Sequence, residues 1–299
     1  MIQSIEIENF RCFEKTEVNG FRRINLITGK NNSGKTALLE AFYYSLDSNY
    51  NWIYTESRLS QQDPDHSKNL HLNQNINNLI KVKCKDLESE YMFFPSSHNQ
   101  YYQNKFNLKF IFDKNLQLPA LLNLVAAFDN LFIDGKIKII EECIQKIEPT
   151  IEEIRTFSSK PSVLFLRKKG EENYLPIYYF GDAIQKISRY IINILSFDSA
   201  VENRILLIDE IENGLHYSAQ DDFWRMIFKL SVEYDVQIFA STHSLEMIKA
   251  YQRVASEFEG EAAFFEMARN ANSNQIIGIN HEMDVLEYEL IANETIRGE

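Results

Sequence analysis

The sequence predicts an α/β protein with a parallel-sheet core, a mixed β lobe ahead of it and a helical lobe set between its strands. Three observations carry that prediction. Ile205-Leu206-Leu207-Ile208 is a continuous apolar run of the kind found in a strand buried on both faces, and residues 236–240 read as a second such strand. Residues 35–46, 183–195 and 218–234 have the apolar spacing of helices packed on one side. Ile24-Asn25-Leu26-Ile27 runs straight into a glycine loop, and the first of those helical patterns follows it.

The elements follow in order. Residues 2–28 read as short β segments, with Ile2, Ile5 and Ile7 on an opening strand and a polar turn near Asn19-Gly20. Ala37, Leu38, Ala41, Phe42 and Leu46 place the first helix after the glycine loop. Residues 47–78 are rich in Asn, Gln, Ser and Asp and contain no glycine, so they read as an irregular surface insertion. Two β-like runs follow at 80–84 and 105–112, with residues 91–95 between them and a polar tip at 96–104.

From residue 116 to about 155 the spacing turns helical, through Leu121, Leu124, Phe128, Ile137, Ile140, Ile144 and Ile147. A hairpin is expected from 163–166 and 174–179 about the basic turn Arg167-Lys168-Lys169-Gly170. One domain, 1–299, then divides into an N-terminal β lobe at 1–112, a helical lobe at 113–198 and a C-terminal lobe at 199–299 that ends in an acidic tail.

Composition narrows the function classes. The chain has 31 Lys or Arg against 43 Asp or Glu, a net charge of -12 and a pI near 5.1, which argues against a general nucleic-acid coat. Residues 257–299 hold ten acidic residues and two Arg, so most of the excess lies there and a local basic groove stays open. Cys12, Cys84 and Cys143 are widely spaced, without zinc-site patterning, and read as reduced thiols of a cytoplasmic protein. The opening MIQSIEIENFRCF lacks the regions of a signal peptide, and no apolar run is long enough to span a membrane.

Gly29-Lys30-Asn31-Asn32-Ser33-Gly34-Lys35-Thr36 fits GxxxxGK[ST], between a predicted strand and a predicted helix. Such a loop wraps phosphates with backbone N–H groups at a helix N-terminus; Lys35 would neutralise the β and γ phosphates and Thr36 would ligate Mg2+. Asp209 and Glu210 end the apolar run 205–208, at the strand edge where ligands of open α/β sheets gather. Asp209 there would hold the metal and Glu210 would polarise an attacking water. Ser241-Thr242-His243-Ser244 ends the next strand, so His243 is expected on the same rim as a neutral imidazole that senses the γ-phosphate or orients water. His216 has no strand-end support and reads as structural or interfacial.

Together GKNNSGKT, FGDAIQKI at 180–187, LLIDEIENGLHYSAQ at 206–220 and QIFASTHSLEMI at 237–248 resemble the ABC-type P-loop ATPases of the OLD-like and SMC-like branch, and IEIENFRCFEKTEV resembles their first hairpin. The resemblance covers nearly the whole chain. It implies an ABC-type ATPase head, with residues 29–36 and Ala37 around the nucleotide, Lys35 and Thr36 as the Walker A pair, and Asp209 and Glu210 as Walker B. It further implies Glu212-Asn213-Gly214 as the D-loop, with Asn213 near the nucleotide, and His243 as the H-switch.

By the same resemblance Gly181 and Asp182 form a signature segment that caps a nucleotide bound by a second subunit, although Ala183 stands where many relatives have a smaller, more flexible residue. Arg11 matches a position near the nucleotide, with a surface hairpin arginine as the alternative. Gln61, Gln74 and Gln117 all remain open as the Q-loop glutamine.

Two functions are weighed. The first, from the site chemistry, is an Mg2+-dependent ATPase switch that dimerises around ATP; the resemblance further implies that it controls a separately encoded effector, in particular a nuclease in defence against phage. About fifty residues follow His243, too few for a Toprim nuclease domain, so a stand-alone ATPase is expected. The second is an ATP-gated DNA clamp or scaffold related to SMC and repair ATPases, for which Arg167-Lys168-Lys169 is the phosphate-contacting candidate or simply a solvated turn.

Overall fold

The computed structural model describes residues 1–46, 79–84, 91–93, 106–111, 118–271, 273 and 275–291; the expected insertion at 47–78, the tip at 96–104 and the three glutamines considered for the Q-loop lie outside them. The chain opens with the strands Ile2–Phe10 (β1), Phe13–Asn19 (β2) and Ile24–Thr28 (β3), then the helix Lys35–Leu46 (α1). Strands Leu79–Cys84 (β4), Tyr91–Phe93 (β5) and Phe106–Ile111 (β6) precede helices Leu118–Ile133 (α2) and Ile137–Ile147 (α3). Strands Ile151–Phe157 (β7), Lys160–Lys168 (β8) and Leu175–Pro176 (β9) lead to helix Asp182–Leu195 (α4) and strand Asn203–Ile208 (β10). The remainder is Gln220–Glu233 (α5), Val236–Ser241 (β11), Leu245–Ala255 (α6), Ala262–Arg269 (β12), Ile276–His281 (β13) and Met283–Ile291 (α7).

Among the described residues the central sheet runs β13-β12-β3-β11-β10-β6, parallel except for β13 at its edge. A second, antiparallel sheet runs β2-β1-β4-β5, and a small antiparallel one runs β7-β8-β9. This mixed α/β architecture is the predicted fold class.

Strand alternation divides the interior into two cores, because successive side chains of a strand point to opposite faces. Leu206 and Ile208 of β10, Ile238 of β11 and Phe264 of β12 join Ile140, Ile191, Trp224 and Tyr251 of the helices on one face. Ile205, Leu207, Phe239 and Phe265 face the other way, onto α1 and the strands β1 and β4. Helix α1 therefore lies between two sheets, which explains why Leu38, Leu39, Ala41 and Phe42 are all fully buried rather than confined to one stripe. Phe42 packs on Phe239 with ring centroids 4.3 Å apart, fixing the helix against the central sheet.

Several segments differ from the sequence reading. The helical stretch expected to reach residue 155 breaks at Gly135, which has φ +72°, and ends at Ile147; residues 151–157 are strand β7. Ile151 and Ile154 are both buried at a spacing of three, as in a helix, but a register shift between Ile151 and Glu153 produces that spacing in a strand. The expected hairpin of 163–166 with 174–179 shrinks to the contact of β8 with Leu175–Pro176, followed by a 3-10 turn over Ile177–Phe180; the main partner of β8 is β7. Strand β6 joins the central sheet beside β10. Among the described residues of the acidic C-terminal segment, β12 lies beside β3 and α7 packs on α6.

Candidate active site

The site is assembled where the parallel strands β3, β10 and β11 end. The β3–α1 loop needs its glycines: Gly29 has φ +140°, and a Cβ there would lie 2.3 Å from the Met267 carbonyl oxygen and 2.6 Å from Ser33 Oγ. α1 begins at Lys35, directly after the loop, so the positive end of the helix faces the loop. Lys30, Asn31 and Asn32 are exposed, whereas Ser33, Lys35 and Ala37 are buried.

Lys35 Nζ donates to the carbonyls of Gly29 at 2.9 Å and Lys30 at 2.8 Å. Burial lowers its pKa to about 8, while Asp209, Glu212 and Glu210 act in the opposite sense. Ser33 Oγ is buried and makes no hydrogen bond within the described structure.

Thr36 and Asp209 meet across the rim: Thr36 Oγ1 donates to the Asp209 carboxylate, 3.2 and 3.1 Å from its two oxygens. Parallel pairing of Ile208 with Ala240 sets the next residues, Asp209 and Ser241, side by side. Ser241 Oγ donates to Asp209 Oδ1 at 2.6 Å and accepts the Glu210 N–H at 2.9 Å. Glu210 turns the chain off the strand with φ +54°, a left-handed conformation that costs a non-glycine residue about 1 kcal/mol or more. Its carboxylate accepts Asn213 Nδ2 at 2.9 Å.

The His243 backbone N–H donates to Glu212 Oε1 at 2.6 Å. Ser244 then caps α6, accepting the Met247 N–H at 3.2 Å, so strand and helix are joined by a turn that holds His243 at the rim. Burial first, and Lys35 second, push the His243 pKa below its ordinary value, which keeps the imidazole neutral at pH 7.

Other predicted positions lie apart from this cluster. Arg11, with φ +56° in the β1–β2 turn, pairs through Nε with Glu40 of α1 at 3.0 Å. Gly181 and Asp182 are exposed at the start of α4 and abut Gly214 of their own chain: a Cβ on Gly214 would lie 3.0 Å from Asp182 Cβ. His216 Nδ1 pairs with Ser218 Oγ at 2.9 Å and caps a short turn. Arg167 of the basic turn forms ion pairs with Glu152 at 2.8 Å and Glu153 at 3.3 Å.

Sequence reasoning passed over Ser241 and Glu40. A hydroxyl closing the strand next to the acidic strand was the available signal for Ser241; nothing in the sequence alone connects Glu40 to Arg11.

A likeness to known proteins agrees with this arrangement. An ATP/GTP phosphatase of Helicobacter pylori is 24% identical over 343 aligned positions, covering 86% of this chain and 89% of that protein. The DNA replication and repair protein RecF of Desulforamulus reducens is 35% identical over 77 residues, about a fifth of each chain (20% and 21%). Among solved structures, the SMC head domain from Thermotoga maritima superposes with a TM-score of 0.53 at 11% identity, over 94% of this chain and 99% of that one. An SMC head bound to the C-winged helix domain of ScpA gives 0.52 at 13% identity, over 95% and 99%. These structures share the fold, that of an ABC-type ATPase head. The AAA ATPase domain family matches residues 1–139 and 96–248, a span that takes in the phosphate loop, the acidic strand end and His243, and the chain belongs to that family.

Proposed function

We propose that the chain is a Mg2+-dependent ATPase switch of the OLD-like and SMC-like kind, which closes as a dimer around ATP and signals its nucleotide state to a partner protein. The observation that carries this reading is the run of contacts Thr36–Asp209–Ser241–Glu210 at the mouth of the phosphate loop. The loop suits a polyphosphate: Ser33 Oγ is a buried hydroxyl without a partner, and Lys35 is a buried cation whose charged form a phosphate would favour. Thr36 and Asp209 are the residues that would hold Mg2+, which supplies charge neutralisation at the phosphates when bound.

In this reading Glu210 accepts a hydrogen bond from the attacking water and polarises it, while Asn213 fixes the carboxylate. His243, neutral at the rim, orients that water or reads the terminal phosphate. Lys30, Asn31, Asn32, Gly34 and Ala37 complete the loop around the nucleotide, and Arg11 is held near α1 by Glu40. Gly181 and Asp182 are offered to the nucleotide of a second copy; the exposed rings of Tyr178, Tyr179 and Tyr217, close in sequence to them and to Gly214, support a contact face there. The effector is a separately encoded protein, a nuclease in the anti-phage setting, and the chain acts in the cytoplasm as one domain divided at 112 and 198. No described helix is long and apolar enough to cross a membrane.

The second reading, a DNA clamp, is favoured by the short likeness to RecF. It predicts salt-dependent DNA binding. The switch is tested by Lys35→Ala: calorimetry is expected to show loss of ATP binding with the fold intact by circular dichroism. Tight ATP binding by the variant would remove the phosphate loop from the account.

A further inference from the structure

Glu212 holds a carboxylate that is only half used. One oxygen accepts the His243 backbone N–H at 2.6 Å; the other, Oε2, is buried and makes no hydrogen bond among the described residues. A buried carboxylate oxygen without a donor is destabilising, so it marks a place where a donor is expected at some stage of the cycle. The His243 imidazole can supply that donor: its own backbone N–H is held by the same carboxylate, its ring is engaged in no described hydrogen bond, and Glu212 acts on the ring electrostatically. Lys35, Glu212, Glu210 and Asp209 are the charged groups that act on that ring.

We propose that Glu212 is a positioning residue that grips His243 twice, through the backbone N–H and through the ring N–H, and so selects the tautomer whose other nitrogen is a free acceptor for an O–H of the attacking water at the rim, the water-orienting one of the imidazole's two roles. The proposal rests on the ATPase reading for its catalytic consequence, but not for its geometry. Selection of a tautomer by a carboxylate is how imidazoles are commonly oriented in sites that use them. Glu212 itself touches neither substrate nor metal in this scheme.

The test is Glu212→Gln in the full chain, read two ways. Gln keeps an acceptor for the backbone N–H but turns an NH2 donor toward the ring, which must then accept at the facing nitrogen. Nitrogen-15 shifts of the His243 ring, assigned with His243→Asn, are therefore expected to show opposite tautomers in wild type and variant. In turnover assays kcat is expected to fall about ten- to a hundredfold with KM for ATP unchanged. The same tautomer in both proteins would overturn the proposal, whatever the ATPase rate; opposite tautomers in the two proteins together with no turnover by wild type would overturn the ATPase reading instead.

Discussion

Ser241 shows how much of the site depends on one buried hydroxyl. It orients Asp209 through a 2.6 Å bond and satisfies the Glu210 N–H at the point where the backbone turns left-handed. Ser241→Ala leaves that N–H without its partner, so unfolding in urea is expected to show a loss of about 1–3 kcal/mol. Asp209 also loses its fixed orientation, and kcat is expected to fall at least about tenfold. A variant with wild-type stability and kcat would mean that the strand end holds its geometry without the hydroxyl. The sequence made Asp209, Glu210 and His243 legible because each ends or follows an apolar strand run. Ser241 was hidden because serine is common at strand ends, and only the parallel pairing of β10 with β11 shows which carboxylate it meets.

At the scale of elements, the strands and helices that build the rim were readable from apolar runs and loop glycines, whereas β7 was not, because its register shift imitates helical spacing. Strands β12 and β13 were overlooked for another reason: the acidic balance of the C-terminal stretch masked the run Ala262-Ala263-Phe264-Phe265, whose Phe264 and Phe265 are fully buried. A further element-level link joins β6 to α4. Lys109 Nζ donates to the Asn193 carbonyl and to Ser196 Oγ, each at 2.8 Å, and lies 4.2 Å from the Phe197 ring centroid.

Burial lowers the Lys109 pKa from 10.5 to about 7. Between those pH values the unfolded chain holds a proton that the folded chain has released, so this residue makes stability rise with pH across that window and fall as pH drops toward 7. Lys109→Met is expected to remove that component: the difference in urea midpoint between the two proteins should change steadily from pH 7 to 9. A constant difference would show that Lys109 keeps its proton in the fold.

Across the whole molecule, the N-terminal sheet must be fixed to the central one for α1 and its loop to stay in place. Gln237 of β11 makes that junction: Oε1 accepts the Ile2 N–H at 2.7 Å, and Nε2 donates to the carbonyls of Ile2 and Arg22 at 2.8 Å each. Thr16 of β2 adds a bond from its hydroxyl to the Ile276 carbonyl at 2.5 Å. Gln237→Leu keeps the volume but leaves buried backbone groups of β1 unpaired, at a cost of about 1–3 kcal/mol. Hydrogen exchange is expected to speed up in β1 and α1 before the helical face of the sheet. Equal acceleration on both faces would show that the two cores do not separate at this junction.

The two cores also explain why the chemistry sits where it does. The phosphate loop leaves β3 for the helix between the sheets, while the acidic and histidine strands leave for the opposite face, so the groups meet only at the shared strand ends. In the proposed switch Glu210, fixed by Asn213 and Ser241 at that junction, drives hydrolysis of ATP held by the loop. The most direct measurement is single-turnover ATP hydrolysis by Glu210→Gln beside wild type. A fall of at least about a hundredfold with ATP still bound is predicted, and hydrolysis at the wild-type rate would contradict the account.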